Sequence, residues 1–338
     1  MKNFIYWSAI NQIEGLGPVR LKKLREQYPD PEELARYLQA DLQAGETEQA
    51  KLLQHGYQAL TIDDEAYPRQ LKNIHDPPTI LYLRGEQKKL SPPIVGIVGT
   101  RKPTRYGLEQ AQSLATALQS AGVTVVSGLA IGIDAAAHQG APSSIAVLGS
   151  GIDNLTPHSN RRLADRLLKE GGLIVSEYPL GQAPAAWTFP QRNRIIAGLS
   201  LGVIVIEGAY QSGAMITAKL ALEQGREVFA LPGQVGLEQT QGPHWLIKQG
   251  AKLIENINDV LDELNLAPGR QLFGSETKEI NLSETEKQIL AVLSREAKAL
   301  DLIAAEINRP VQQLLGDLLI LEMKQAVRQL PGKYFVLA

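Results

Sequence analysis

The stretch Ile94 to Gly107, IVGIVGTRKPTRYG, constrains the fold more than any other part of the chain. A short apolar run rich in β-branched residues ends in Gly99-Thr100-Arg101. Apolar residues then recur at helical spacing through Leu108, Ala111, Leu114, Ala115 and Leu118. That order is strand, glycine turn, basic residue, helix. In an open α/β sheet, ligands collect beyond the carboxyl ends of the strands, where the free N–H groups and dipole of a helix N-terminus favour anions. A ligand held at this turn therefore carries phosphate.

The alternation continues down the chain. Strands are expected at 94–98, 123–127, 144–149, 173–176, 201–206 and 227–231, with a seventh near 252–254, and helices starting near 107, 133, 159, 192, 212 and 242. Continuous apolar strands between helical patterns mean a parallel sheet covered on both faces. The fold class is thus α/β, a Rossmann-like doubly wound sheet over residues 94–262. The dinucleotide fingerprint is missing: no third glycine follows Gly96 and Gly99 at the required spacing, and the second strand runs into Ser127-Gly128 rather than an acidic residue. NAD is disfavoured.

Residues 1–60 read as a small helical domain, helix-hairpin-helix or SAM-like. Within it, Ile13-Glu-Gly-Leu-Gly-Pro-Val-Arg20 is either a hairpin that offers N–H groups to a DNA phosphate, with Arg20, Lys22 and Lys23 nearby, or a tight helix-helix turn. Residues 61–93 carry five prolines and a short strand, Ile80 to Leu83, and form a connector packed on the central domain. Residues 263–280 are a linker. Residues 281–338 have the outline of a winged helix: a capping box at Ser283-Glu-Thr-Glu286, helices through Leu293, over Leu300–Ile307 and over Val311–Met323, and an extended pair around Pro331-Gly332. Its third helix offers Gln312, Gln313, Asp317 and Glu322 outward, and the domain holds 7 basic and 7 acidic residues. A DNA-reading helix is normally more basic. A protein partner or an accessory role suits it better.

Several loops carry candidate chemistry. After the second strand, Ser127 and Gly128 let backbone N–H groups approach an anion, and Asp134 either caps the next helix or pairs with His138 four residues on. Arg161 and Arg162 begin a helix, where cations oppose the dipole; a bound anion offsets that cost, and a solvated surface pair is the other reading. Phe189-Pro-Gln-Arg192-Asn193-Arg194 sets an aromatic beside two arginines, a combination suited to base stacking plus phosphate contact on a single strand. In an extended segment the two arginines share a face; in a helix they diverge. Ser212-Gly213 opens a helix with Lys219 two turns along, which suits a second phosphate but is not a Walker motif. His244, Trp245 and Ile247 lie in a segment that is either core or the centre of a self-association surface.

Composition excludes other chemistry. The absence of cysteine removes disulfides and thiolate sites, and His55, His75, His138, His158 and His244 show no metal-ligand spacing, so no metal or cofactor is expected. No apolar run approaches the ~20 residues of a membrane span, and MKNFIYWSAINQIEG lacks a signal-peptide core, so a cytoplasmic location with no membrane partner is expected. Net charge is −2, yet residues 94–254 hold 13 Lys/Arg against 10 Asp/Glu, compatible with a local basic groove.

Taken in order, GTRKPTRYG, SGLAIGIDAAAH, IAVLGSGID, IVSEYP, FPQRNRIIAGLS, the Ser212-Gly213 segment and LPG resemble the DNA-processing protein A family, DprA or Smf. The resemblance implies a non-enzymatic single-stranded DNA-binding protein that protects incoming strands and helps load RecA in natural transformation, and that forms a homodimer through its Rossmann-like domain. It implies that Gly99, Thr100 and Arg101 hold a DNA phosphate, that Phe189 to Arg194 and Ser212 to Lys219 line the groove, and that His244 to Ile247 contribute to the dimer. The chain departs from the family pattern at Thr156-Pro157, where an aromatic-proline pair is usual, and at His244, where asparagine is usual. Two rival functions are a nucleoside-monophosphate phosphoribohydrolase and a regulator reading duplex DNA with the winged helix. The first meets no double glycine at Tyr210 to Thr217 and no carboxylate after it until Glu223; the second meets a neutral domain with an acid-bearing third helix.

Overall fold

The computed structural model describes residues 3–266, 284–293, 298–307, 309–323, 327–330, 332 and 334–337. The chain divides into two compact units, Met1–Leu266 and Ala267–Ala338. Four helices open the first: α1 (Phe4–Asn11), α2 (Pro18–Gln27), α3 (Pro31–Tyr37) and α4 (Leu42–His55). Asp30 caps α3 by accepting a hydrogen bond from Glu32 N at 3.1 Å, with Pro31 in the first turn. Phe4 and Trp7 of α1 are buried, Phe4 edge-on to Tyr82 at 6.1 Å, so these helices share a core with the rest of the unit.

Next come β1 (Gln58–Thr61), α5 (Arg69–Lys72), β2 (Ile80–Gly85), β3 (Ile94–Val98), α6 (Arg105–Ser120), β4 (Thr124–Ser127), α7 (Ile133–Gly140) and β5 (Ile145–Val147). The unit continues with α8 (Arg161–Lys169), β6 (Leu173–Ser176), α9 (Thr188–Leu199), β7 (Gly202–Val205), α10 (Gly213–Glu223), β8 (Glu227–Ala230), α11 (Gln241–Lys248), β9 (Lys252–Leu253) and α12 (Ile257–Glu263). One nine-stranded sheet runs β1-β2-β6-β5-β4-β3-β7-β8-β9. From β6 to β9 its neighbours are parallel. β2 adds to β6 antiparallel, and β1 to β2.

The doubly wound sheet is the one the apolar runs predict, because a strand such as Ile94–Val98, buried at all five positions, needs cover on both faces. Three features differ. β1 falls in a stretch expected to be helical, and the proline-rich connector supplies β2 as a full member of the sheet. Thr61 ends β1 opposite Ile80, and the register runs on to Gln58 opposite Leu83. Helix α9 also begins at Thr188, one turn before the expected start.

The second unit contains α13 (Glu284–Val292), β10 (Lys298–Ala299), α14 (Leu300–Glu306), α15 (Val311–Met323), β11 (Val327–Leu330) and β12 (Tyr334–Leu337), with strand order β10-β12-β11. Ile289, Ile303, Leu314, Leu318 and Phe335 meet in its core. Three helices and a small antiparallel wing are present; β10 is the strand the sequence pattern did not reveal. On α15, Gln313 is exposed and Asp317 pairs with Arg309 at 3.5 Å. The linker from 267 on, the Ser283 cap, Pro331 and the Gln312 side chain lie outside the described residues.

Candidate nucleic-acid interface

Chain order fixes where a ligand fits. From β3 the sheet grows through β4 and β5 to β6; the chain then returns to the other side of β3 as β7. The loops after β3 and β7 therefore diverge, and the crevice between them is the topological switch point at which open α/β sheets bind ligands. A cleft of about 640 Å3 occupies that place. Val98 to Lys102 border it after β3, Ala130 and Asp134 after β4, and Ser212 to Ala214, Ile216 and Thr217 after β7. Phe189, Pro190, Asn193 and Ile196 of α9 also face it.

The β3 loop is held from several directions. A Cβ on Gly99 would come within 2.5 Å of Ile133, so only glycine lets the loop lie on the start of α7. Thr100 N donates to Glu207 O at 2.7 Å, and Ile133 N donates to Thr100 O at 3.2 Å. The Glu207 carboxylate, 1% exposed, accepts from Thr104 N at 2.8 Å and from the Thr104 hydroxyl. Thr104 in turn caps α6 by accepting from Gly107 N at 3.1 Å. Arg101 projects from this pinned loop, exposed, with its guanidinium 5.5 Å from the centroid of the Phe189 ring. Among the described residues no carboxylate pairs with it. A cation–π pair of this kind on an open surface keeps both partners available to a base and a phosphate.

Across the cleft, α10 begins at Gly213 with no side-chain cap, so its first N–H groups are open to an anion. The Ser212 hydroxyl oxygen is buried and has no hydrogen-bond partner in the protein. Asn193 Nδ2 donates to Gly213 O at 3.3 Å, tying α9 to this end of α10. The expected residues Gly99, Thr100, Arg101, Phe189, Asn193, Ser212 and Gly213 are thus brought together around one cavity.

The other expected phosphate contacts are placed differently. Because α9 is helical through Leu199, Arg192 and Arg194 diverge, and both are buried, at 4% and 3% exposure. Arg192 reaches the cleft wall but donates to Gly128 O at 2.7 Å and to Val147 O, beside Asp134. Arg194 turns away, donating to both oxygens of Glu177 at 2.7 and 2.6 Å and to Asp76 at 2.9 Å. Burial pulls its guanidinium down, but Glu177 and Asp76 outweigh that and hold it above its ordinary pKa. Neither arginine is open to DNA. Nor is the β4 loop: Ser127 donates to Ile97 O at 2.6 Å, and Gly128 N donates to Asp134 Oδ2 at 3.2 Å. The loop's own carboxylate takes the place expected for an anion. Lys219 lies outside the cleft in an exposed pair with Glu223 at 3.7 Å. Arg161 is exposed at the start of α8, whose preceding Asn160 donates to Leu129 O at 2.9 Å.

Asp134 and His138 do not form an acid-base pair. Burial raises the pKa of Asp134 in spite of Arg192, while His138, fully buried with Nδ1 2.8 Å from Ser144 Oγ, is pushed down to about 3 by burial and then by Arg192. Around the last expected group, His244 Nε2 is 3.0 Å from Gly233 O, Ile247 packs against the core, and Trp245, 37% exposed, stands edge-on to Tyr210 at 5.4 Å.

Sequence reasoning missed Glu207 as the clamp between the two cleft loops. Its signal was an acidic residue directly after an apolar strand, at Ile206-Glu207-Gly208. Glu207→Ala is expected to cost about 1–3 kcal/mol in denaturant unfolding, because Thr104 N–H loses its acceptor, and to weaken any ligand held by Arg101.

A family model described as DNA recombination-mediator protein A matches residues 58–265, and a DprA winged helix domain matches residues 274–333. The chain belongs to the DNA recombination-mediator protein A family. The Escherichia coli protein Smf is 39% identical over 88% of this chain and 82% of its own length, and the Bacillus subtilis DNA processing protein DprA is 43% identical over 62% and 72%. The X-ray structure of DNA processing protein A from Streptococcus pneumoniae superimposes with a TM-score of 0.67 at 34% identity, covering 78% of this chain and 98% of that one. DNA processing protein A from Helicobacter pylori, whose structure was described for its single-stranded DNA binding mode, gives a TM-score of 0.57 at 33% identity over 62% and 95%. The match over 58–265 begins at β1 and encloses the whole sheet with its cleft.

Proposed function

We propose that this chain binds single-stranded DNA in the switch-point cleft, without turnover, as a cytoplasmic recombination mediator of natural transformation that hands the strand to RecA. The carrying observation is the exposed, unpaired Arg101 over Phe189, facing the uncapped start of α10. A phosphate meets the arginine and the helix N-terminus, and a base stacks on the ring whatever its identity. The relative studied for single-stranded DNA binding supports the same reading. Catalysis finds little footing: Asp134 on the cleft wall and Glu207, which clamps the β3 loop, are both committed to internal hydrogen bonds. A homodimer through the Trp245 and Tyr210 surface belongs to the proposal, since the two rings are exposed and stand edge-on to one another at 5.4 Å. The winged helix, with an apolar and acidic third helix, suits a protein partner.

Equilibrium binding of a fluorescent oligo-dT and of its duplex across a salt series tests this. Tighter binding of the single strand is expected, with a log–log salt slope of about −0.7 for each phosphate contacted. No single-strand binding at low salt would overturn the reading and return the cleft to a nucleotide-hydrolysing enzyme, with nucleoside monophosphates the next ligands.

A further inference from the structure

One large aromatic beside the cleft takes no part in the Arg101 and α10 contacts. Trp187, the residue before α9, is 59% exposed, whereas its neighbours Thr188 and Arg192 are buried. Its position is fixed rather than loose. The Thr188 hydroxyl donates to Gly149 O at 2.6 Å and receives Ala185 N at 3.1 Å, so the turn that carries the indole is fastened to the end of β5. Tyr178, which follows β6 and is 7% exposed, meets the indole edge-on at 5.9 Å with an interplanar angle of 79°. The Tyr178 hydroxyl is itself tied down, 3.2 Å from Gln191 Oε1. The indole is thus carried on a fastened turn and braced along one edge, yet remains more than half open.

Its placement relative to the cleft is defined by its neighbours. Ala186 and Phe189, on either side of it in sequence, line the cleft. Residues 187 and 189 lie about 200° apart on a helix, so Phe189 faces Arg101 while Trp187 faces Tyr178, beyond the end of β6. We infer that Trp187 is a second stacking platform, which takes a base of the nucleotide segment leaving the cleft on the β6 side. The ligand is the same single strand, so the inference rests on the proposed function and extends it: the strand runs across the sheet ends from α10, past Arg101 and Phe189, to Trp187. Arg161, exposed at the start of α8 after β5, stands on that side of the sheet as a cation for the backbone. Stacking on an indole is tolerant of sequence, because every base has a π-face.

Oligo-dT length separates this platform from the cleft. Anisotropy titrations would use the full chain with oligomers of about 4 and about 12 nucleotides, the short and long ends of single-strand site sizes. Trp187→Ala is expected to weaken the long oligomer roughly 5- to 150-fold, the loss of one stacked base, and to leave the short one within about twofold. Trp187→Phe restores most of the long-oligomer affinity, a rescue that a merely structural role of the indole would not predict. Arg101→Ala weakens the short and the long oligomer alike, roughly 10- to 150-fold, and so reports on the cleft. Equal losses at both lengths, or no loss at either, would overturn the platform. Failure of wild-type protein to bind even the long oligomer would instead overturn the single-strand reading.

Discussion

Replacing Arg192 by methionine is expected to cost about 3–5 kcal/mol of folding stability, because it strips the partner from a buried carboxylate and leaves two buried carbonyls without their donor. The Arg192 guanidinium donates to Gly128 O and Val147 O, and it faces Asp134, which is 7% exposed. Burial dominates at both groups: it pulls Arg192 down to about 10 against the pull of Asp134, and it raises Asp134 despite Arg192. A folded pKa above the unfolded one means that the charged Asp134 opposes folding at neutral pH and is relieved as pH falls through the folded value. Losing Arg192 raises that value further. The deficit of the variant relative to wild type is therefore expected to be largest at neutral and alkaline pH and to shrink on acidification. His138, held neutral down to about 3, costs both proteins stability as pH drops below the unfolded histidine value near 6.5. The share of its shift that comes from Arg192 narrows the deficit in the same direction. Guanidinium unfolding of both proteins at two pH values measures this, and a deficit independent of pH would remove Asp134 from the account. The double variant with Asp134→Asn should recover part of the loss, since an uncompensated charge costs more than a neutral amide in the same place.

The contrast between the arginines shows which part of the site is written locally. Gly99-Thr100-Arg101 follows an apolar strand and precedes a helix, and that short-range grammar is enough to put the three residues at a sheet end with a phosphate-sized opening. Ser212-Gly213 is legible for the same reason, whereas Phe189 stands out only as an aromatic beside two arginines. Arg192 and Arg194 are not, because their fate is set by partners far along the chain: Glu177 is 17 residues away, Gly128 is 64 and Asp76 is 118. Helical spacing of Ile195, Ile196 and Leu199 signals a buried face but does not say whether an arginine beside it finds a carboxylate. Glu207 is the same case in reverse, an acid whose partner Thr104 lies 103 residues earlier. β1 escaped notice because Gln58–Thr61 is four residues long and directly follows a helix. Its identity as a strand comes from the β2 edge it pairs with rather than from its own pattern.

Arg101→Ala is expected to lower single-strand affinity roughly 10- to 150-fold, the range for one hydrogen-bonded contact to a charged group, with little change in stability. The side chain is exposed and its one described contact is the face of Phe189, so its loss removes no buried interaction. It does remove one of the two exposed cations that line the cleft, the other being Lys102 on the same loop. Arg192 spends its donors on carbonyls, Arg194 is neutralised by Glu177 and Asp76, and Lys219 pairs with Glu223 beyond the rim. The log–log salt slope should become shallower by about 0.7 if one phosphate contact is lost. Arg101→Lys separates the two jobs of the residue. A lysine keeps the charge, and hence most of the slope, but gives up the planar guanidinium that lies over the ring and forks onto phosphate oxygens, so part of the affinity still falls. Arg194→Ala should do the opposite of Arg101→Ala, unfolding at lower denaturant because Glu177 and Asp76 lose their shared partner, while leaving the slope of the folded protein unchanged. If the slope moved with Arg194 and not with Arg101, the strand would have to run along the Glu177 side of α9. The switch-point cleft would then be a cavity of the fold with no part in binding DNA.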